Sequence, residues 1–333
     1  MEWMDTLRGG AILLMLFWHA TSLPVLYQAY VPGPLLAVND ALLPYRMPCL
    51  MFLSGLLLPR SLSKPLGEYY RGKIALIAYP YVVWVIIYCL CVGADRAYWD
   101  PRLYVAKGYL WYLYYIAVFY LVAPLVRRLP LWVTPVACFA AAFVVDDKIP
   151  HRMLFFAIFF FTGAWAAGRV ITARLRNPWL VVALAVPAIA FAWVSATRDV
   201  NYQQVFVLFS FAGIAVAIAL AARMSSRRSA ALRHVGRNSI VYYTSHFPAM
   251  LGVLMLLLEV GAPWWVTVPV LYAVGIAVGT ALTAVRERRP VRWLFEAPFL
   301  SRGPRPAGRP AAAPTTPPAA PAATRPAADG VAG

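Results

Sequence analysis

Apolar runs, each about as long as a membrane span, follow one another from the first residues to about residue 285, divided by short polar segments. At a rise of 1.5 Å per residue, roughly twenty apolar residues in a helix cross the ~30 Å hydrocarbon layer. The pattern predicts ten spans, near 9–29, 38–59, 74–93, 108–126, 130–146, 152–169, 179–196, 203–222, 239–260 and 263–285. The fifth is short and carries Pro130 and Pro135. The fold expected is all-α, a polytopic membrane helix bundle.

The polar segments between the runs set its orientation. Alternate ones are basic: Arg60, Lys64, Arg71 and Lys73; Arg127 and Arg128; Arg169, Arg174 and Arg176; Arg223 to Arg237; and Arg286 to Arg292 after the last run. The intervening ones are mixed or acidic, with Asp95, Arg96, Asp100 and Arg102; Asp146, Asp147 and Lys148; Arg198 and Asp199; and Glu259. Positive charge stays on the cytoplasmic side, so both termini are expected there, as an even number of spans requires. The first run is too long for a signal-peptide core and has no small-residue cleavage site after it, so it is expected to stay as a helix.

Composition agrees. Of 333 residues 62% are hydrophobic and 13% charged, about half the charged share of a soluble domain. The net charge of +17 sits in the loops, so topology rather than nucleic acid accounts for it. The four cysteines, Cys49, Cys89, Cys91 and Cys138, have no metal-ligand or redox spacing, and no metal is expected. From about residue 299 the chain turns to Pro and Ala, which cannot bury a core. Residues 1–298 are thus expected to form one membrane domain and 299–333 a disordered cytoplasmic tail.

One stretch carries candidate chemistry. In "DTLRGGAILLMLFWHA", residues 5–20, Arg8 and His19 stand eleven residues apart, three helical turns and so nearly one face. The rise separates them by about 16 Å, with Arg8 at the cytoplasmic surface and His19 about halfway through the bilayer. Asp5, one turn before Arg8, can pair with it. Ionisable groups in a membrane are functional candidates by default; the alternative for His19 is a hydrogen bond to a neighbouring helix.

"MDTLRGGAILLMLFWHA" resembles the first helix of the membrane acyltransferase-3 family, with its Asp-x-x-Arg-Gly start and Arg-x10-His spacing. "YRMPCLMFLSGLLLPRSL" (45–62) is similar to its second helix, and "YYRGKIALIAYPYVVW" (69–84) to its third. "LWYLYYIAVFYLVAPL" (110–125) and "RNSIVYYTSHFPAM" (237–250) match its fourth and late helices. The likeness covers roughly residues 3–296. The family's third helix carries Arg-x-x-Arg at its edge, whereas here Arg71 is followed by Ile74, with Lys73 the nearest cation.

The resemblance implies transfer of an acyl group, usually acetyl, from acyl-CoA (acetyl-CoA) to a hydroxyl of a glycan or glycosylated small molecule, in a bacterial inner membrane. Arg8, Arg71 and Lys73 would bind the polyanionic donor at the cytoplasmic edge. His19 would be the general base of direct transfer, although Ser54 is a conceivable nucleophile. Arg46 would bind the acceptor or an oxyanion, or else pair with Asp40. Trp111 and Tyr112 can stack on a sugar, or belong to an interfacial aromatic belt. Ser239 and His246 share a face of the ninth span, and a substrate-binding role for His246 stands beside an interhelical hydrogen bond. The reading from another class is a transporter or flippase of lipid-linked sugars; it fits less well, because the acidic residues lie at span ends and no inverted repeat is visible.

Overall fold

The structure, a computed structural model, describes residues 2–169, 171–198, 200, 202–224 and 227–300. The expected tail lies, from Ser301 on, outside these residues, as does Asp199. The described residues form helices joined by turns and short loops and contain no strand. In chain order the α-helices are α1 Glu2–Leu26, α2 Gly33–Gly55, α3 Leu58–Leu62, α4 Leu66–Lys73, α5 Tyr79–Val92, α6 Trp111–Val126 and α7 Val133–Ala141. There follow α8 Lys148–Ala166, α9 Ile171–Arg174, α10 Pro178–Thr197, α11 Val207–Arg223, α12 Ala230–Arg237, α13 Ser239–Glu259 and α14 Trp264–Val285. Helices suit sequences apolar on every face, because each backbone N–H and C=O is satisfied within its own segment.

Among the described residues nine segments are long and apolar enough to cross a membrane, not ten. The expected span at 130–146 forms only α7, nine residues long. Pro130 cannot continue a helix, Pro135 is tolerated in the first turn, and residues 142–144 turn away. The bundle still needs this segment to recross. α6 and α8 run in the same direction: Trp111, at the start of α6, faces Phe156 midway along α8 at 4.8 Å, and Tyr120 faces Phe160 at 5.1 Å further along both. The chain leaving α6 must therefore return before α8 begins, and α7 packs along α8 on that return.

Two crossings bring the site-bearing helices together, and glycine permits both. A Cβ on Gly9 of α1 would lie 1.9 Å from the Leu232 carbonyl oxygen, and one on Gly236 of α12 would lie 1.9 Å from that of Asp5. Between α2 and α8, Gly55 and Gly163 face the Phe160 and Phe52 carbonyls at 1.8 and 2.2 Å in the same sense. Small residues give membrane helices their close van der Waals packing, since lipid leaves little hydrophobic drive between them.

α4 passes into α5 through a π-helical turn, Ile74–Ala78. There the Ala75 carbonyl accepts the Ala297 N–H at 3.1 Å, Trp84 donates to the Leu294 carbonyl at 3.0 Å, and Phe295 is buried. The last described segment thus lies along α4 and α5.

Candidate active site

α1 carries both residues of the opening motif on one unbroken helix. Arg8 is half-buried and, among the described residues, forms no hydrogen bond or ion pair. The expected Asp5–Arg8 pair is absent: the Asp5 carboxylate accepts instead from Arg237 Nε at 3.3 Å. The glycine crossing lays α12 over this end of α1, so Asp5 has a cation there, and Arg233 approaches Glu2 at 3.8 Å in the same way. Arg8 is left to line a cavity of about 200 Å³ between α1, α2, α6 and α13. Its walls are apolar at Ile12, Leu50, Leu57 and Ile116, and polar at Ser54, Tyr112, Tyr120, Ser239 and Tyr243. Ile77, from the π-helical turn, closes one side.

Ser54 donates to the Leu50 carbonyl at 2.9 Å, and its hydroxyl lies 3.3 Å from that of Tyr112. No base is hydrogen-bonded to it among the described residues. Lys73, just beside the cavity, donates to Ser61 at 3.1 Å and sits 3.5 Å from the centre of the Tyr120 ring. Arg71 is exposed, and its Nε donates to the Leu300 carbonyl at 3.1 Å. It is not part of the cavity wall.

Deeper along α1, His19 is buried. Its ring lies 4.7 Å from that of His246 on α13 and 6.3 Å from that of Tyr109. Among the described residues no hydrogen bond fixes either His19 nitrogen. His246 is fully enclosed; its Nδ1 lies 3.0 Å from the Tyr242 carbonyl and, because a carbonyl can only accept, carries the proton. Nε2 of His246 then holds a lone pair with no partner among the described residues. Arg46 on α2 is also buried, its Cζ 5.1 Å from the Trp18 ring centre and Nη1 3.5 Å from the Asn39 carbonyl. Its charge acts on His19. Arg46 thus stands beside Trp18, the neighbour of His19 on α1. Asp40 is within electrostatic reach of it as well.

A layer of tyrosines separates the Arg8 cavity from the histidine pair. The rings of Tyr112 and Tyr243 are 5.3 Å apart, and those of Tyr109 and His246 5.3 Å. Tyr243 donates to the Tyr109 carbonyl, and Tyr109 to that of Thr244, both at 2.5 Å. Tyr109 and Tyr243 were not singled out in the sequence, because in "YLWYLYYIAVFY" and "VYYTSHF" nothing distinguishes one tyrosine from its neighbours. Trp111 turns away from this cavity, toward Phe156 and Arg152.

The helices are of membrane length, and α1 carries Arg8 toward one end and the buried His19 deeper along it. Residues 1–284 match the family model of the acyltransferase domain, and the chain belongs to that acyltransferase-3 family. It is a membrane acyltransferase. Comparisons with curated proteins and with solved structures found no match.

Proposed function

We propose that the protein transfers an acyl group, acetyl in the simplest case, from acyl-CoA to a hydroxyl of a carbohydrate-type acceptor, with His19 as general base. What supports the reading most is α1 itself: the unpaired Arg8 in a cavity and the unfixed His19 lie about 16 Å apart on it. A cavity of about 200 Å³ suits the thin pantetheine arm and not the nucleotide. The nucleotide phosphates then stay at the basic edge, met by Arg8, Lys73 and the terminal N–H groups of Arg71. This edge is cytoplasmic, as are both termini, and the membrane is a bacterial inner membrane.

In the transfer the acceptor oxygen attacks the thioester carbonyl as His19 takes its proton. Arg46 steadies the negative charge that develops on the carbonyl oxygen. The C–S bond then breaks, and the thiolate of CoA leaves with the proton from His19. The free lone pair on His246 Nε2 can accept an N–H from His19 and hold its tautomer. Direct transfer is preferred to an acyl-serine because Ser54 gives its proton to its own helix and has no base beside it. The tyrosine layer must part for the thioester to reach His19.

The test is release of free thiol from acetyl-CoA by the purified protein. Slow release, faster when a glycan acceptor is added, supports the reading; none under either condition contradicts it.

A further inference from the structure

At the end of the bundle away from Arg8, the turn after α7, the start of α8 and the 3-10 turn at Gln204–Phe206 enclose a second cavity, of about 490 Å³. Its wall includes Asp146, Lys148, His151, Arg152, Tyr202 and Gln204. Arg152 lies between two rings, its Cζ 5.4 Å from the centre of Trp111 and 4.9 Å from that of Tyr202. Stacking occupies the faces of a guanidinium and leaves its in-plane N–H donors for another group. Nε of Arg152 is buried and, among the described residues, has no hydrogen-bond partner. Asp146 forms no ion pair with it among the described residues.

The other groups present a mixture of donors and acceptors. His151 donates through Nδ1 to the Val145 carbonyl at 3.0 Å, which leaves Nε2 as an acceptor. Gln204 donates to the Ala142 carbonyl at 3.0 Å and keeps its carbonyl oxygen free. Lys148 supplies a second cation. Hydroxyl groups of a sugar can pair with all of these, and its apolar face can lie on the Tyr202 ring. What remains unsatisfied is Arg152, and an anionic oxygen is the natural partner of a guanidinium edge. Tyr202 also lines, with Leu43 and Pro44, a small gap beside the part of α2 that carries Arg46.

We propose that this cavity is the acceptor subsite and that it selects a sugar bearing a carboxylate or phosphate, which Arg152 holds. Naming the sugar an acceptor rests on the acyl-transfer reading; the anion site does not.

The test measures binding of three probes to the full-length protein in detergent: a disaccharide containing glucuronic acid, glucose 1-phosphate, and the neutral disaccharide with glucose in place of glucuronic acid. At least one anionic sugar is expected to bind about tenfold or more tightly than the neutral one, and the tighter of the two tells carboxylate from phosphate. Arg152→Gln is expected to abolish the preference and Lys148→Gln to weaken it. Equal binding of charged and neutral sugars by the wild type overturns the proposal, as does an unaltered preference in Arg152→Gln. Should Arg152→Gln not fold, Arg152→Lys decides: a reduced preference supports the planar contact and an unchanged one overturns it. CoA release by the wild type is followed alongside. Release without an anionic preference rejects the subsite and leaves the transfer reading standing, and a preference without release does the reverse.

Discussion

Asp5 and Arg8 are three residues apart on a helix, and sequence spacing alone pairs them. In the folded chain Asp5 goes to Arg237, and Arg8 has no hydrogen bond or ion pair among the described residues. The difference has a functional edge. Were Asp5 the partner of Arg8, its loss would alter donor binding. Because it pairs with an exposed arginine, Asp5→Asn is expected to cost at most about 1 kcal/mol of stability and to leave the KM for acetyl-CoA within about twofold; thermal unfolding and thiol-release kinetics check this. His19 and Arg46 show the opposite case. Both were visible as ionisable residues within apolar runs, since such residues are rare there. Their closeness to His246 and Trp18 was not visible, because contacts between helices distant in sequence leave no periodic mark.

At the scale of elements, apolar runs located the long helices well, because length and continuity alone decide whether a helix can cross a bilayer. The method failed where those two cues conflicted: 130–146 is apolar but proline-divided, and only α7 forms. It was also blind to the glycine crossings. "RGG" in the opening stretch reads as a family mark, yet Gly9 is what lets α12 reach α1. Gly9→Ala would bring its Cβ to 1.9 Å from the Leu232 carbonyl, a backbone atom that cannot turn aside. Overpacking of this kind is expected to cost about 1–3 kcal/mol and to tilt Arg8 away from the cavity. Gly10→Ala, with nothing within 4 Å of the new Cβ, is the matched control. Lower melting temperature and weaker donor binding in the first variant alone would bear this out.

For the whole molecule, the parallel course of α6 and α8 supports an even number of passes, and loop charge suggests which side is which. Cys91 offers a direct reading of orientation: it is exposed near the C-terminal end of α5, whereas Cys49 and Cys89 are buried and Cys138 is partly exposed. If the loop charges orient the chain, a membrane-impermeant maleimide applied to intact cells is expected to label Cys138→Ser and not the double variant Cys91→Ser, Cys138→Ser; labelling only after lysis would reverse the topology. The account as a whole depends on two residues of one helix having separate tasks, one for the donor and one for the proton. Steady-state CoA release with acceptor present, in the wild type, His19→Ala and Arg8→Ala, tests that division most directly. His19→Ala is expected to lower kcat about 10²–10⁴-fold with KM for acetyl-CoA little changed, and Arg8→Ala to raise that KM about tenfold or more with a smaller effect on kcat. If His19→Ala kept its kcat, or both variants raised KM alike, the division of labour along α1 would be wrong.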